Sequence, residues 1–188
     1  MTTTPGPVAD LERALGAATT IVDGVPEDRH DAPSPCGGWT VADVVEHVIT
    51  GNHGVAAALD PALAGTTDDD SLAGRFRDSS ARAVTAFAAP GALSGTVTVP
   101  FGTVPVPVAL GLRTVEALVH GWDVAVASGQ DPAAFPEDLA QAGIAFTESM
   151  FATADRTRLP FAPAVPVDAT APAIDRLAGL LGRTDPRR

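Results

Sequence analysis

The chain has 188 residues, 45% of them hydrophobic, which is enough for one sizeable core, so we predict a single domain spanning residues 1–188. Twelve basic residues against 23 acidic ones give a net charge of −11, which argues against nucleic acid and anionic membrane surfaces as partners. All twelve basic residues are arginine and tyrosine is absent, which excludes a lysine Schiff base and a tyrosine general acid.

Helical periodicity predicts three helices in the first half of the chain. Residues 8–22 carry apolar side chains at helical spacing, and a stretch rich in turn formers follows them. Thr40 is a candidate N-cap for the second helix, with Asp43 as the acidic half of a capping box, and Pro61 closes that helix. A third helix is predicted over residues 71–88.

The second half of the chain begins with a different pattern. Residues 96–110 alternate β-branched residues around a Phe-Gly turn, and their prolines restrict them to a short edge hairpin that acts as a lid or strap. Three helices are predicted after it, at about 107–128, 136–152 and 172–181, with Gly129 as the stop signal of the first. The elements together predict an all-α fold with a hairpin strap and a short C-terminal helix.

Residues on two of these helices have the chemistry of a metal site. Glu116, His120 and Asp123 stand at i, i+4 and i+7, within roughly 60° of one another around the helix. His47 lies among the valines of the second helix, so we expect it to be buried and to need a partner. His47, Glu116 and His120 would then converge in the core as two imidazoles and one carboxylate, with one coordination position left open. Zinc suits this set first, then nickel, iron or manganese.

Simpler interpretations exist for each of these residues. A Glu-x-x-x-His pair is more often a surface hydrogen bond than a metal site, and a histidine such as His47 is more often a satisfied core residue. Asp123 has two interpretations, because it could orient a ligand imidazole or lie at the mouth of the bundle and bind solvent or substrate. The metal prediction therefore depends on His47, Glu116 and His120 occurring together.

Other reactive or aromatic side chains receive weaker predictions. Trp39 and Trp122 are predicted to fill the core beside the site, with substrate stacking as the alternative. Cys36 is given a structural role, His30 is placed in a polar loop, and His53 lies about 120° round the helix from the ligand histidine. Four arginines could bind a substrate carboxylate or form surface ion pairs: Arg75, Arg77, Arg82 and Arg113.

Three stretches resemble a known family. "PCGGWTVADVVEHV" at 35–48, "VEALVHGWDVAVASGQ" at 115–130 and "FAPAVPVDATAPAIDRLAGLLGR" at 161–183 together resemble the metal-binding proteins of the DinB-like superfamily. These proteins are related to the N-terminal domain of mycothiol-dependent maleylpyruvate isomerase. The resemblance implies a four-helix bundle and places the family's metal triad on His47, Glu116 and His120. It does not extend to the additional C-terminal domain of that isomerase.

The resemblance also implies a function. Some members of the superfamily use the metal to activate a low-molecular-weight thiol such as mycothiol for isomerisation or transfer to a small electrophile. A metal-dependent thiol transferase or isomerase is therefore the first hypothesis, and a non-catalytic metal-binding or small-molecule-binding bundle is the alternative. A lone cysteine, no leader pattern and no long apolar run predict a cytoplasmic protein, either a monomer or a homodimer.

Overall fold

The structure is a computed structural model, and it describes residues 6–65, 67–99, 102–153 and 161–187. Helices and one small sheet account for its regular elements. They are α1 (Pro7–Asp23), α2 (Val41–Leu59), α3 (Leu72–Ala88), β1 (Thr96–Val99), β2 (Gly102–Pro105), α4 (Val106–Ser128), α5 (Glu137–Thr153) and α6 (Ala173–Leu180). The prediction of an all-α fold with a hairpin and a short C-terminal helix is confirmed.

Helices α1 to α4 form the bundle. α1 packs against α3 and α4, and α2 packs against α3 and α4, while α5 and α6 pack on each other and on α4. α4 is the central helix, and every residue from 117 to 127 in it is buried. A helix that is buried on all sides must be apolar or have partners for its polar side chains. His120 and Asp123 are polar and buried in α4, so we expect both to have partners. No helix in the described part of the chain is long and apolar enough to cross a membrane.

The start of α2 is fixed by its capping box. Thr40 Oγ1 accepts a hydrogen bond from the Asp43 backbone N–H at 3.2 Å, and the Thr40 backbone N–H donates to Asp43 Oδ2 at 2.9 Å. These two bonds satisfy amides that a helix N-terminus otherwise leaves unpaired. The predicted cap is confirmed, and α2 begins at Val41, six residues before His47.

The predicted hairpin forms, and α4 ends where the sequence predicts; Phe101 of the predicted Phe-Gly turn lies outside the described residues. β1 and β2 pair antiparallel with Val97 opposite Val104, and Val97 packs into the core. The hairpin contacts α2 and α4, so it spans two helices as a strap. α4 begins directly at Val106 and ends at Gly129, whose φ of 79° is the left-handed conformation that glycine adopts without strain.

Candidate metal centre

The three predicted ligands lie together where α2 and α4 pack side by side. One ligating atom each from His47, Glu116 and His120 lies within 4.8 Å of the other two. His47 Nε2 is 3.4 Å from Glu116 Oε2, and the two imidazole centroids are 5.0 Å apart. We call these three residues the triad. Their assignment as ligands stays a prediction, which this geometry permits.

Only one side of the triad reaches the surface of the bundle. The prediction that His47 is buried is wrong, because its side chain is 41% exposed, compared with 20% for Glu116. Residue 47 occupies the rim of the buried face of α2, whereas Val44 and Val48 occupy its centre. His120 is only 8% exposed, so the triad has a closed side towards His120 and an open side towards His47.

Both imidazoles are held in the form that binds metal. Partial burial lowers the pKa of His47, and the nearby positive charges of Arg113 and Arg183 lower it further. Burial also lowers the pKa of His120, and this outweighs the opposing hydrogen bond and charge of Asp123. A neutral imidazole binds a metal ion without first losing a proton. The two rings are therefore ready to act as ligands at neutral pH.

Glu116 carries the negative charge of the triad and is incompletely satisfied. Its Oε2 atom forms an ion pair with Arg113 Nη2 and lies near His47, yet it accepts no well-aligned hydrogen bond from a described residue. Buried carboxylate oxygens are normally hydrogen-bonded or bound to a cation. An acceptor oriented towards two imidazoles fits a divalent ion.

Asp123 fixes the orientation of the His120 ring. Its side chain is fully buried, so the alternative that placed it at the mouth of the bundle is wrong. His120 Nδ1 lies 3.0 Å from Asp123 Oδ2, and a carboxylate can only accept, so this nitrogen carries the proton. The other ring nitrogen, Nε2, therefore keeps its lone pair for a ligand bond.

Arg183 and Cys36 close the site behind Asp123, and the sequence analysis predicts no role for Arg183. Arg183 donates to Asp123 Oδ2 at 3.1 Å and to Cys36 Sγ at 3.3 Å. Burial raises the pKa of the Cys36 thiol, while the charge of Arg183 opposes that rise. We call Asp123, Arg183 and Cys36 the inner cluster. Cys36, His120 and Asp123 also have ligating atoms within 4.8 Å of one another, but Arg183 already engages two of the three.

The two tryptophans occupy different places. The Trp39 ring lies 4.8 Å from the His47 ring and 6.1 Å from the His120 ring, so it flanks the triad. Trp122 is not brought to the triad, because it stands two positions after His120 and points to another side of α4. Its Nε1 donates to Asp175 Oδ1 at 2.8 Å, and only 1% of the residue is exposed.

The remaining candidates lie outside both clusters. Neither His30 nor His53 joins a group of possible metal ligands within the described residues. Three of the four arginines form ion pairs away from the triad. These pairs are Arg75 with Glu46, Arg77 with Asp23 and Arg82 with Asp78. Arg113 differs, since it is buried against Glu116, and its place three residues before Glu116 on the same helix could have indicated this contact.

The family model for the mycothiol maleylpyruvate isomerase N-terminal domain matches residues 11–125. The chain belongs to this family. The matched region contains the triad but not Arg183. The resemblance drawn from the sequence motifs is thereby confirmed, and the helical fold agrees with the DinB-like superfamily.

Two uncharacterized relatives span nearly the whole chain. Rv0738 of Mycobacterium tuberculosis (strain ATCC 25618 / H37Rv) and MT0763 of strain CDC 1551 / Oshkosh are each 36% identical over 179 residues. The alignment covers 95% of this chain and 98% of each relative. The similarity to these two relatives therefore extends beyond the residues that the family model matches.

Solved structures give the same fold at lower identity. The crystal structure of the mycothiol-dependent maleylpyruvate isomerase matches with a TM-score of 0.55 and 18% identity, over 75% of this chain and 70% of that one. A histidine-to-alanine mutant of that isomerase matches with a TM-score of 0.55 and 20% identity over the same shares. At these identities the likeness establishes the fold.

Proposed function

We propose that this protein binds a divalent metal ion, zinc in the first place, and uses it in a thiol-dependent isomerisation or transfer on a small electrophile. The observation that carries the proposal is the triad itself. Two imidazoles and one carboxylate from two helices present ligating atoms within 4.8 Å of one another beside an open face. We propose further that residues 1–188 act as one domain in the cytoplasm, where small thiols are kept reduced.

The donor set determines which ions fit. Imidazole and carboxylate ligands suit zinc, with nickel, iron and manganese as alternatives, and three protein ligands leave a coordination position free. When bound, such an ion acts as a Lewis acid that lowers the pKa of a thiol or of water. The relatives of known structure are mycothiol-dependent and act on maleylpyruvate, so a mycothiol-type thiol and a small unsaturated acid are the first substrates to test.

The chain's own residues prepare and shield this position. Asp123 holds the proton on His120 Nδ1, and Arg183 holds Asp123 in place. Trp39 covers one flank of the two imidazoles with an apolar ring, which limits the access of water. The exposed side of His47 is the direction from which a thiol and an electrophile can approach.

Metal binding is tested first, because the reaction depends on it. Elemental analysis of the purified full chain identifies the resident ion, and calorimetric titration of the metal-free chain with zinc chloride gives the affinity. Single alanine substitutions at His47, Glu116 and His120 should each weaken zinc binding by more than about 100-fold, beyond the loss typical of a residue that only supports a ligand. His53→Ala is the matched control and should bind zinc like the wild type.

Activity is tested with the zinc-loaded chain, mycothiol and maleylpyruvate, followed by a panel of other small electrophiles. We expect turnover above that of the metal-free chain, and His120→Ala should abolish it. A wild-type chain that binds none of the four metals would overturn the proposal altogether. Zinc binding without turnover on any electrophile would overturn the catalytic part and leave the metal site.

One observation favours a second candidate, a non-catalytic metal-binding bundle. The cavity that touches His120 from inside the bundle has a volume of only about 10 Å³. A larger cavity of about 190 Å³ lies on the far side of Arg183 and is lined by Trp122 and Asp175 instead of the triad. This candidate predicts stabilisation by about 2.7 kcal/mol at zinc concentrations 100 times the Kd, with no turnover.

A further inference from the structure

Arg113 is enclosed beside the triad. Its side chain is 10% exposed and forms an ion pair with Glu116, three residues later on α4. The guanidinium extends across to α2, where a side chain at Gly51 would overlap it. Its Nη1 atom is buried and donates no hydrogen bond to a described residue. Arg113 is therefore held against Glu116 by both helices.

The charge of Arg113 persists at neutral pH. An arginine guanidinium stays protonated inside proteins, so its positive charge remains in this enclosed position. The only carboxylate of the triad thus has a permanent cation of the chain in contact with it. This contact differs from the other arginine pairs of the bundle helices, whose side chains are 25% to 53% exposed.

We propose that Arg113 is a resident counter-cation of the triad, which competes with a metal ion for Glu116 and thereby lowers the affinity of the site and sets its preference among ions. The inference rests on the proposed metal binding. Without an ion, Arg113 neutralises the buried carboxylate. A divalent ion that binds must share Glu116 with the guanidinium and tolerate its positive charge at close range.

The same contact biases the site towards ions that prefer nitrogen ligands. Arg113 weakens the carboxylate as a donor, but it leaves the lone pairs of the neutral imidazoles of His47 and His120 available. Zinc binds well to imidazole, whereas manganese depends more on carboxylate oxygen. Removal of Arg113 should therefore strengthen the binding of both ions, and of manganese more than of zinc.

The test compares metal affinities of the metal-free full chain in calorimetric titrations with zinc chloride and with manganese chloride. Arg113→Met should bind zinc about tenfold more tightly or better than the wild type, since a close like charge is removed. Its gain for manganese should be larger. Arg113→Lys keeps the charge and should stay within about threefold of the wild type. Arg82→Met removes an arginine from another intrahelical pair and should change neither affinity.

A second readout separates competition from a purely structural role. Arg113→Met should lower the melting temperature of the metal-free chain, because Glu116 loses its cation, yet increase the rise in melting temperature that zinc produces. A lower metal-free melting temperature with unchanged or weaker zinc binding would overturn the inference. If Arg113→Met does not fold, Arg113→Gln replaces it with the same two outcomes.

The result also distinguishes this inference from the proposed function. Failure of the wild type to bind zinc or manganese would reject the metal site, and the role of Arg113 with it. Zinc binding by the wild type together with equal or weaker binding by the uncharged variants would reject only the role of Arg113.

Discussion

Two polar groups of residues meet at His120, and they differ in how completely they are satisfied. In the inner cluster, Arg183 hydrogen-bonds to both Asp123 and Cys36, and Asp123 is fully buried. On the other side of the ring, Glu116 Oε2 and Arg113 Nη1 lack well-aligned hydrogen bonds to described residues. Among the described residues the inner cluster is fully hydrogen-bonded, whereas Glu116 Oε2 of the triad has an ion pair with Arg113 but no well-aligned hydrogen bond.

This difference separates a structural role from a binding role. A buried polar network whose members are all paired stabilises one arrangement of the fold, whereas a carboxylate and two imidazoles beside an open face have the chemistry of a binding position. Substitutions in the inner cluster should therefore reduce mainly the free energy of unfolding. Substitutions in the triad should reduce mainly the affinity for metal.

The largest effect on stability is expected from Arg183→Met. Asp123 would keep a buried charge without its cation, which costs about 3–5 kcal/mol of unfolding free energy. Urea unfolding of the metal-free chain measures this loss. Arg82→Met is the control, and its partly exposed pair with Asp78 should account for no more than about 1 kcal/mol. Equal losses in the two variants would contradict a structural inner cluster.

A smaller effect, on zinc affinity, is expected at Asp123, the residue of the inner cluster that contacts His120 of the triad. Asp123→Asn replaces an acceptor by an amide that can donate to His120 Nδ1, so the ring can lose the orientation that directs Nε2 at the metal. Zinc affinity should fall by about 10–100-fold in calorimetric titration. Asp78 lies outside both clusters, so Asp78→Asn should leave the zinc affinity unchanged. An unchanged affinity in Asp123→Asn would mean that the inner cluster does not support the triad.

The pH dependence of stability tests the state of the buried ring. The pKa of His120 is lower in the folded chain than its ordinary value of 6.5, so below that value the unfolded chain binds more protons and stability falls as the pH falls. One proton contributes a slope of at most about 1.4 kcal/mol per pH unit. Urea unfolding at about pH 7.5 and pH 5.5 should therefore show a smaller loss for His120→Gln than for the wild type. Identical losses of unfolding free energy in the two proteins would show that His120 takes up no proton when the chain unfolds.

The smallest effect concerns two glycines on α2 and tests how tightly Arg113 is enclosed. Gly54 is exposed with nothing within 4 Å of an added methyl group, so Gly54→Ala should stabilise the helix by up to about 1 kcal/mol. Gly51→Ala offers the same gain in helix propensity but would overlap the Arg113 guanidinium. It should therefore be less stable than Gly54→Ala in thermal unfolding. Equal stabilisation by both would mean that Arg113 can move away freely.

The sequence predicts the helices well because their ends carry local signals. The capping box of Thr40 and Asp43 and the left-handed Gly129 each depend on a few neighbouring residues. The positions of Glu116 and His120 follow from helical spacing in the same way. Local patterns therefore suffice to place these two side chains on one face of α4.

Long-range features of the site could not be predicted in this way. Periodicity gives the direction of His47 around α2, but the exposed fraction of its side chain depends on how far neighbouring elements cover it. Arg183 reaches Asp123 across 60 residues of chain, and no periodic pattern relates the two positions. The contact of Arg113 with Glu116 could be predicted from their spacing on one helix. The close approach of Arg113 to Gly51 on α2 could not.

The placement of the two tryptophans gives the protein an optical probe of its own site. Trp39 is partly exposed and lies against His47, whereas Trp122 is buried on another side of α4. A soluble quencher should reach the emission of the first indole and spare that of the second. Changes in fluorescence during a titration would then report on the open face of the triad, with the buried indole as an internal reference.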